Sequence, residues 1–126
     1  MSYSTISHCG NDHSTWIKNL DFYKDDLKVS EKRLGEVAGK NTNHDMLAQV
    51  EHFQNQFIVQ RNNIDELKHR ISQHDKRVSS EAQSHAGKIE QLSVKEHEAI
   101  SEETKGFEVN MNDLRYQFNE FLSKWM

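Results

Sequence analysis

The sequence predicts an all-α fold, an up-down-up antiparallel bundle of three long helices with coiled-coil-like packing. Three observations predict it. The 126 residues include no proline, which is the residue that most strongly breaks a helix interior. Apolar residues recur in alternating steps of four and three, which keeps one narrow seam on one side of each helix. Hydrophobic residues make up only 34% and charged residues 29%, a balance typical of thin seams between solvated helix faces.

The first helix is expected at about residues 12–38, after a serine-rich arm at residues 1–11. Asn11 or Asp12 can cap its start, and Gly39 suits the position just past a helix end. Residues 12–126 are expected to form a single domain. The seam of the first helix consists of Trp16, Leu20, Tyr23, Leu27, Ser30, Leu34 and Val37.

The second helix is expected at about residues 43–78, with Thr42 or Asn43 as its cap. Its seam consists of Met46, Val50, Phe53, Phe57, Gln60, Ile64, Leu67, Ile71, His74 and Val78. A capping-box pattern from Ser80 to Gln83 favours a turn at residues 78–81. If the chain does not turn there, the second and third helices form one rod, and the fold is a long multi-chain coiled coil.

The third helix is expected at about residues 81–125. Its seam consists of Ile89, Leu92, Glu96, Ile100, Thr104, Phe107, Met111, Leu114, Phe118, Phe121 and Trp125. The consecutive four-residue steps from Leu92 to Thr104 predict a stutter, which locally relaxes a supercoil. Folding the chain near residues 41 and 80 places Tyr23, Gln60 and Thr104 in one polar core layer whose hydrogen bonds would fix the register. A ligand site in this layer is the alternative interpretation.

The net charge of −4 argues against nucleic acid and anionic membranes as partners. Residues 81–126 carry nine acidic and five basic residues, whereas both partners are bound through clustered Lys and Arg. The single cysteine excludes an intrachain disulfide, and no apolar stretch reaches membrane-spanning length. We therefore expect a cytoplasmic protein.

The eight histidines are unevenly distributed along the predicted bundle. The predicted folding places His8, Cys9, His13, His69, His74 and His85 toward one end, with His52 and His97 along the shaft. Imidazole and thiolate are ligands that zinc and copper prefer, so we identify Cys9, His13, His74 and His85 as candidate metal ligands. Their order matches no known metal-binding motif, and ordinary surface histidines are the competing interpretation. A zinc- or copper-binding protein is therefore the alternative function.

Catalytic motifs are not found in the sequence, so we expect a protein that is not an enzyme and needs no cofactor. The five glycines are isolated and form no phosphate-binding loop. Cys9 and His13 lack the third group and the oxyanion donor that an activated nucleophile requires.

Apolar residues on the first helix away from the seam, and others at the C-terminus, suggest contacts with other proteins. Phe22 and Val29 lie seven residues apart and indicate a second apolar face on the first helix. Phe121, Leu122 and Trp125 form either a lid over the loop between the first two helices or a surface for association. The first hypothesis is therefore a non-enzymatic helical-bundle protein that acts through protein–protein contacts, as a homo-oligomer.

Overall fold

The computed structural model describes residues 6–40, 43–84 and 91–126, and these residues form three α-helices. Helix α1 spans Ile6–Lys40, α2 spans His44–Ser84 and α3 spans Gln91–Trp125. Each helix packs against the other two, with α2 making the most extensive contacts. The predicted all-α three-helix bundle is therefore confirmed.

Ion pairs between α1 and α2 show that these helices run in opposite directions. Lys24 Nζ lies 2.8 Å from Asp65 Oδ1, and Lys68 Nζ lies 2.5 Å from Asp21 Oδ1. A higher residue number on α1 thus meets a lower one on α2. Exposed pairs of this kind contribute little to stability, but they report the register of the two helices.

The predicted seams form the core of the bundle. Every seam residue predicted on α2 is buried, and on α1 only Ser30 is half-buried. One continuous apolar cluster runs from Trp16 through the centre to the other end. There Phe53 packs against Phe118 and Phe121, with ring centroids 5.3 and 5.1 Å apart. The 4-3 spacing therefore identifies which face of each helix is buried.

The structure corrects the predicted helix ends. Helix α1 begins at Ile6, inside the segment predicted as an arm, and Asn43 caps α2 by accepting a hydrogen bond from the Met46 amide at 3.1 Å. The turn predicted at 78–81 is wrong, because α2 continues through Ser84. Val78 is buried with Val94 of α3, so this part of α2 has its own packing partner. Contacts between α2 and α3 within one chain also rule out the single rod.

The stutter predicted on α3 is also wrong. Apart from Val94, the buried positions described between residues 93 and 104 are Ser93, His97, Ile100 and Thr104, which continue the 4-3 spacing of the rest of the helix. Glu96, which was assigned to the seam, is only half-buried. Three of these four seam residues are polar, but the 4-3 spacing stays the same.

Tyr23, Gln60 and Thr104 are each buried but do not form the predicted polar layer. Lys24 and Glu31 of α1 bond Asp65 and Arg61 of α2, so Gln60 lies roughly 9–13 Å along the helix from the level of Tyr23. Thr104 donates to the Ile100 carbonyl at 2.8 Å, and Gln60 accepts from Asn63 at 3.4 Å. Each of these two side chains thus has a hydrogen bond within its own helix.

No helix in the described part of the chain has an apolar stretch long enough to cross a membrane.

Candidate metal centre

Three histidines, one from each helix, lie together in the interior at one end of the bundle. They are His13 of α1, His74 of α2 and His97 of α3, and their exposed fractions are 5%, 0% and 7%. Each occupies a seam position, since His13 precedes Trp16 by three residues and His97 precedes Ile100 by three. The seam thus places imidazoles at three core positions, where a buried polar group is costly unless it is bonded.

The inner nitrogens of the three rings converge. His13 Nε2 and His74 Nε2 each lie 3.3 Å from His97 Nδ1. One nitrogen from each ring lies within 4.8 Å of the other two. Zinc bonds imidazole nitrogen at about 2.0–2.1 Å, so a tetrahedral ion separates its nitrogen ligands by about 3.3–3.4 Å. The two distances of 3.3 Å match this value.

The outer nitrogen of each ring is bonded to a carboxylate of a neighbouring helix. His13 Nδ1 lies 2.7 Å from Asp75 Oδ1, and His74 Nδ1 lies 2.5 Å from Glu96 Oε1. His97 Nε2 lies 2.8 Å from Asp12 Oδ2. A carboxylate accepts a hydrogen bond, so each outer nitrogen carries a proton, and in the neutral imidazole the inner nitrogen then presents a lone pair. Metal-binding histidines are held in this way in known metal sites.

The pairing forms a closed ring around the bundle axis. The histidine of α1 binds the acid of α2, that of α2 binds the acid of α3, and that of α3 binds the acid of α1. In each helix the acid and the histidine are adjacent in sequence. The pairs are Asp12-His13, His74-Asp75 and Glu96-His97. The acid comes first on α1 and α3 and second on α2, as expected because α2 runs in the opposite direction.

The electrostatics favour the neutral imidazole of His74 and the ionised carboxylate of Glu96. Burial lowers the pKa of His74, against the opposing effect of its hydrogen bond with Glu96. Burial would raise the pKa of Glu96, but its hydrogen bonds with Arg77 and His74 hold that pKa below its ordinary value. Arg77 Nε lies 3.0 Å from Glu96 Oε1. With neutral histidines, three carboxylates and one guanidinium carry a net charge of −2, which a divalent cation neutralises.

The two sides of the histidine layer differ. On the core side, the indole of Trp16 packs against His97 and His13, with ring centroids 4.8 and 5.4 Å apart. On the other side, toward the end of the bundle, Val78 and Val94 form a small apolar cluster separate from the main core. The layer therefore lies between a large aromatic ring and two small aliphatic side chains.

The structure brings together only part of the predicted ligand set. His13 and His74 lie in the cluster, whereas Cys9 and His85 fall outside the side chains that the structure describes. The predicted folding places His97 along the shaft, because its helix register differs from the observed register by more than one helical turn. Two features of the sequence point to it: the seam traced back from Ile100 reaches residue 97, and an acidic residue stands beside it.

The predicted association residues separate into two groups. Phe22 and Val29 are 55% and 54% exposed. Phe121 and Leu122 are buried in the core of the single chain, and Trp125 packs against that core. Phe121, Leu122 and Trp125 therefore cover the end of the bundle, and within one chain Phe121 and Leu122 are not exposed for association.

Comparison of the chain with protein-family models, with curated proteins and with solved structures finds no match.

Proposed function

We propose that this protein binds one divalent transition-metal ion, zinc or copper, through His13, His74 and His97. The observation that carries the proposal is the convergence of three buried imidazole nitrogens whose outer nitrogens are all bonded to carboxylates. Neutral imidazole is a preferred ligand of both metals.

The competing interpretation is that the histidines simply fill a core layer and bond surface acids. That interpretation accounts for the outer nitrogens, but it accounts for the inner ones only if His97 carries a second proton on Nδ1 that it shares with His13 and His74. When all three rings are neutral and their outer protons are donated to carboxylates, the inner nitrogens are all acceptors, and two pairs of them lie 3.3 Å apart. Buried acceptors that face each other without a donor are unfavourable. A bound cation supplies the missing positive charge.

The test is the metal content and the metal affinity of protein purified without an affinity tag. We expect one equivalent of zinc or copper per chain, by elemental analysis or calorimetric titration. Since metal binds the folded state, the melting temperature should rise on loading. A free metal concentration 100 times the dissociation constant corresponds to about 2.7 kcal/mol of added stability.

The matched control variants lie on the same helix. His74→Ala removes a buried ligand and should abolish stoichiometric binding, whereas His69→Ala removes an exposed histidine five residues away and should leave binding unchanged. Equal metal binding by His74→Ala and the unaltered protein would contradict the proposal, as would a protein that takes up neither metal.

A second proposed role is self-association through α1, in a protein that is not an enzyme. The specific observation is the exposure of Phe22 and Val29, two helical turns apart on one face. Val29 lines a groove between α1 and α3 with Phe118 and Leu122 at its base. The Phe22 ring contacts the Arg115 guanidinium, 5.5 Å from its centroid, and the ring of Tyr23, yet more than half of its surface stays exposed.

A further inference from the structure

We infer, on the basis of the metal binding proposed above, that the bound ion keeps a fourth coordination position, facing the end of the bundle, where a water molecule or a small anion binds. A zinc ion with three protein ligands keeps such a position for an exchangeable ligand, whereas a purely structural site is closed by a fourth protein ligand. The question is therefore whether the protein supplies a fourth donor.

Among the side chains that the structure describes, the converging ligand atoms belong to the three histidines alone. The nearest carboxylates are those of Asp12, Asp75 and Glu96, and each is bonded to the outer nitrogen of a histidine. The outer nitrogens lie on the far side of the rings from the point where the inner nitrogens meet. These carboxylates orient the ligands and cannot also reach the metal.

The surroundings of the layer determine the direction of the fourth position. Trp16 covers the core side of His13 and His97, and beyond it Ile71 and Ile100 are each 1% exposed. That side is filled by close-packed apolar groups.

The end side is bordered by Val78 and Val94, one turn beyond His74 and His97 on their helices. Neither side chain carries a donor atom for a metal. The nearby Ser93 hydroxyl donates to Glu81 Oε1 at 2.7 Å, and serine is not among the usual zinc ligands, which are Cys, His, Asp and Glu. Because none of the described side chains on this side is a usual metal ligand, we expect a ligand from solvent there, and the two valines restrict it to a small one.

The charge of the site permits an anion. The charges of the three carboxylates and Arg77 sum to −2, so a divalent ion brings the group to neutrality. Its positive charge would be accessible to an anion from the open position. Small monoanions such as azide match this position in size and charge, whereas a large organic anion would contact the valines.

The experiment uses cobalt(II) as a spectroscopic probe in the full chain. Cobalt(II) held by three nitrogens and a solvent ligand gives visible ligand-field bands that respond to exchange of that ligand. We expect these bands to appear with one equivalent of cobalt and to shift saturably as azide is added. The His69→Ala variant should show the same azide response, and His74→Ala should give no bands.

The possible results separate the two proposals. If cobalt produces no ligand-field bands and the protein takes up neither zinc nor copper, the proposed metal binding fails and the open position fails with it. If the bands appear but azide leaves them unchanged, metal binding stands and the open position is overturned. A strong near-ultraviolet thiolate band that disappears in Cys9→Ser would also overturn it, because the cysteine would then be the fourth ligand.

Discussion

At the scale of single residues, the histidine cluster depends on acids that are adjacent to the histidines in sequence but bond across helices. Asp75 illustrates the arrangement, because it follows His74 on α2 yet accepts the hydrogen bond of His13 on α1. Its carboxylate fixes which nitrogen of His13 carries the proton and raises the basicity of the other nitrogen. The acid would therefore act on a bound metal through the histidine.

Removal of this carboxylate should weaken metal binding without unfolding the chain. We predict that Asp75→Ala lowers zinc affinity about 10–100-fold, the usual effect of losing such a partner. A competition titration against a chelator of known affinity measures it. Asp65→Ala is the matched control, since Asp65 is also an exposed α2 acid and is paired with Lys24. Equal affinities of the two variants would show that Asp75 has no orienting role.

The residue scale is also where prediction from the sequence was incomplete. His74 was assigned to the seam because it continues the spacing of Ile64, Leu67 and Ile71. His97 was not assigned to the seam, because a seam that includes the apolar Leu92 continues four residues later at Glu96. A histidine at a core position is not apolar, so a search for apolar periodicity does not find it. It is found only when the 4-3 spacing is traced back from the apolar residues that follow it on the same helix.

At the scale of helices, the faces were predictable and the register was not. The burial of each helix follows from its 4-3 spacing, which depends on local sequence. The register depends on where the chain reverses, and the capping pattern at Ser80 lies inside α2. A capping pattern lowers the free energy of a helix start by about 1 kcal/mol, so tertiary packing such as that of Val78 on Val94 can override it.

The histidine layer also joins the ends of the three helices. The main apolar core extends from the far end as far as Trp16, Ile71 and Ile100, and beyond the histidines the only buried apolar pair among the described side chains is Val78 with Val94. So few apolar contacts give little resistance to local opening. A metal bonded to all three helices would supply the missing restraint at this end.

We therefore predict that zinc protects this end of the bundle selectively. Amide hydrogen exchange should slow by at least about tenfold in residues 75–81 and 93–97, since each 1.4 kcal/mol of local stability corresponds to a factor of ten. Residues 50–64, in the centre of the main core, should exchange at the same rate with zinc and with a chelator. Uniform slowing along the chain would indicate a global effect and would contradict the local restraint.

At the scale of the whole molecule, the solvent-exposed surface of the three-helix bundle includes charged regions and exposed apolar side chains. Part of that surface carries cross-helix ion pairs, such as Arg61 with Glu31 and Arg115 with Asp26. The exposed apolar pair on α1 is Phe22 and Val29, beside the groove between α1 and α3. Apolar side chains seven residues apart on one helix face match the spacing of the anchors by which helices pack in apolar grooves.

Self-association should therefore depend on this face and not on exposed apolar residues in general. Val29→Asp combined with Phe22→Asp should lower the sedimentation-averaged mass at a given concentration, with a dissociation constant raised at least about tenfold, or about 1.4 kcal/mol. Helical content and melting temperature should remain unchanged, because both side chains are already exposed in the single chain. Ile58→Asp is the control, since Ile58 is 47% exposed on α2. A sharp monomer of the unaltered protein across a wide concentration range would exclude self-association, and an equal effect of Ile58→Asp would remove the assignment to α1.

Repeating the sedimentation with zinc and with a chelator separates this contact from the metal site. Phe22 and Val29 lie beyond Trp16 from His13 along α1, at least two and a half helical turns from the histidine. If the contact is independent of the metal, the dissociation constant of self-association should be the same in both solutions.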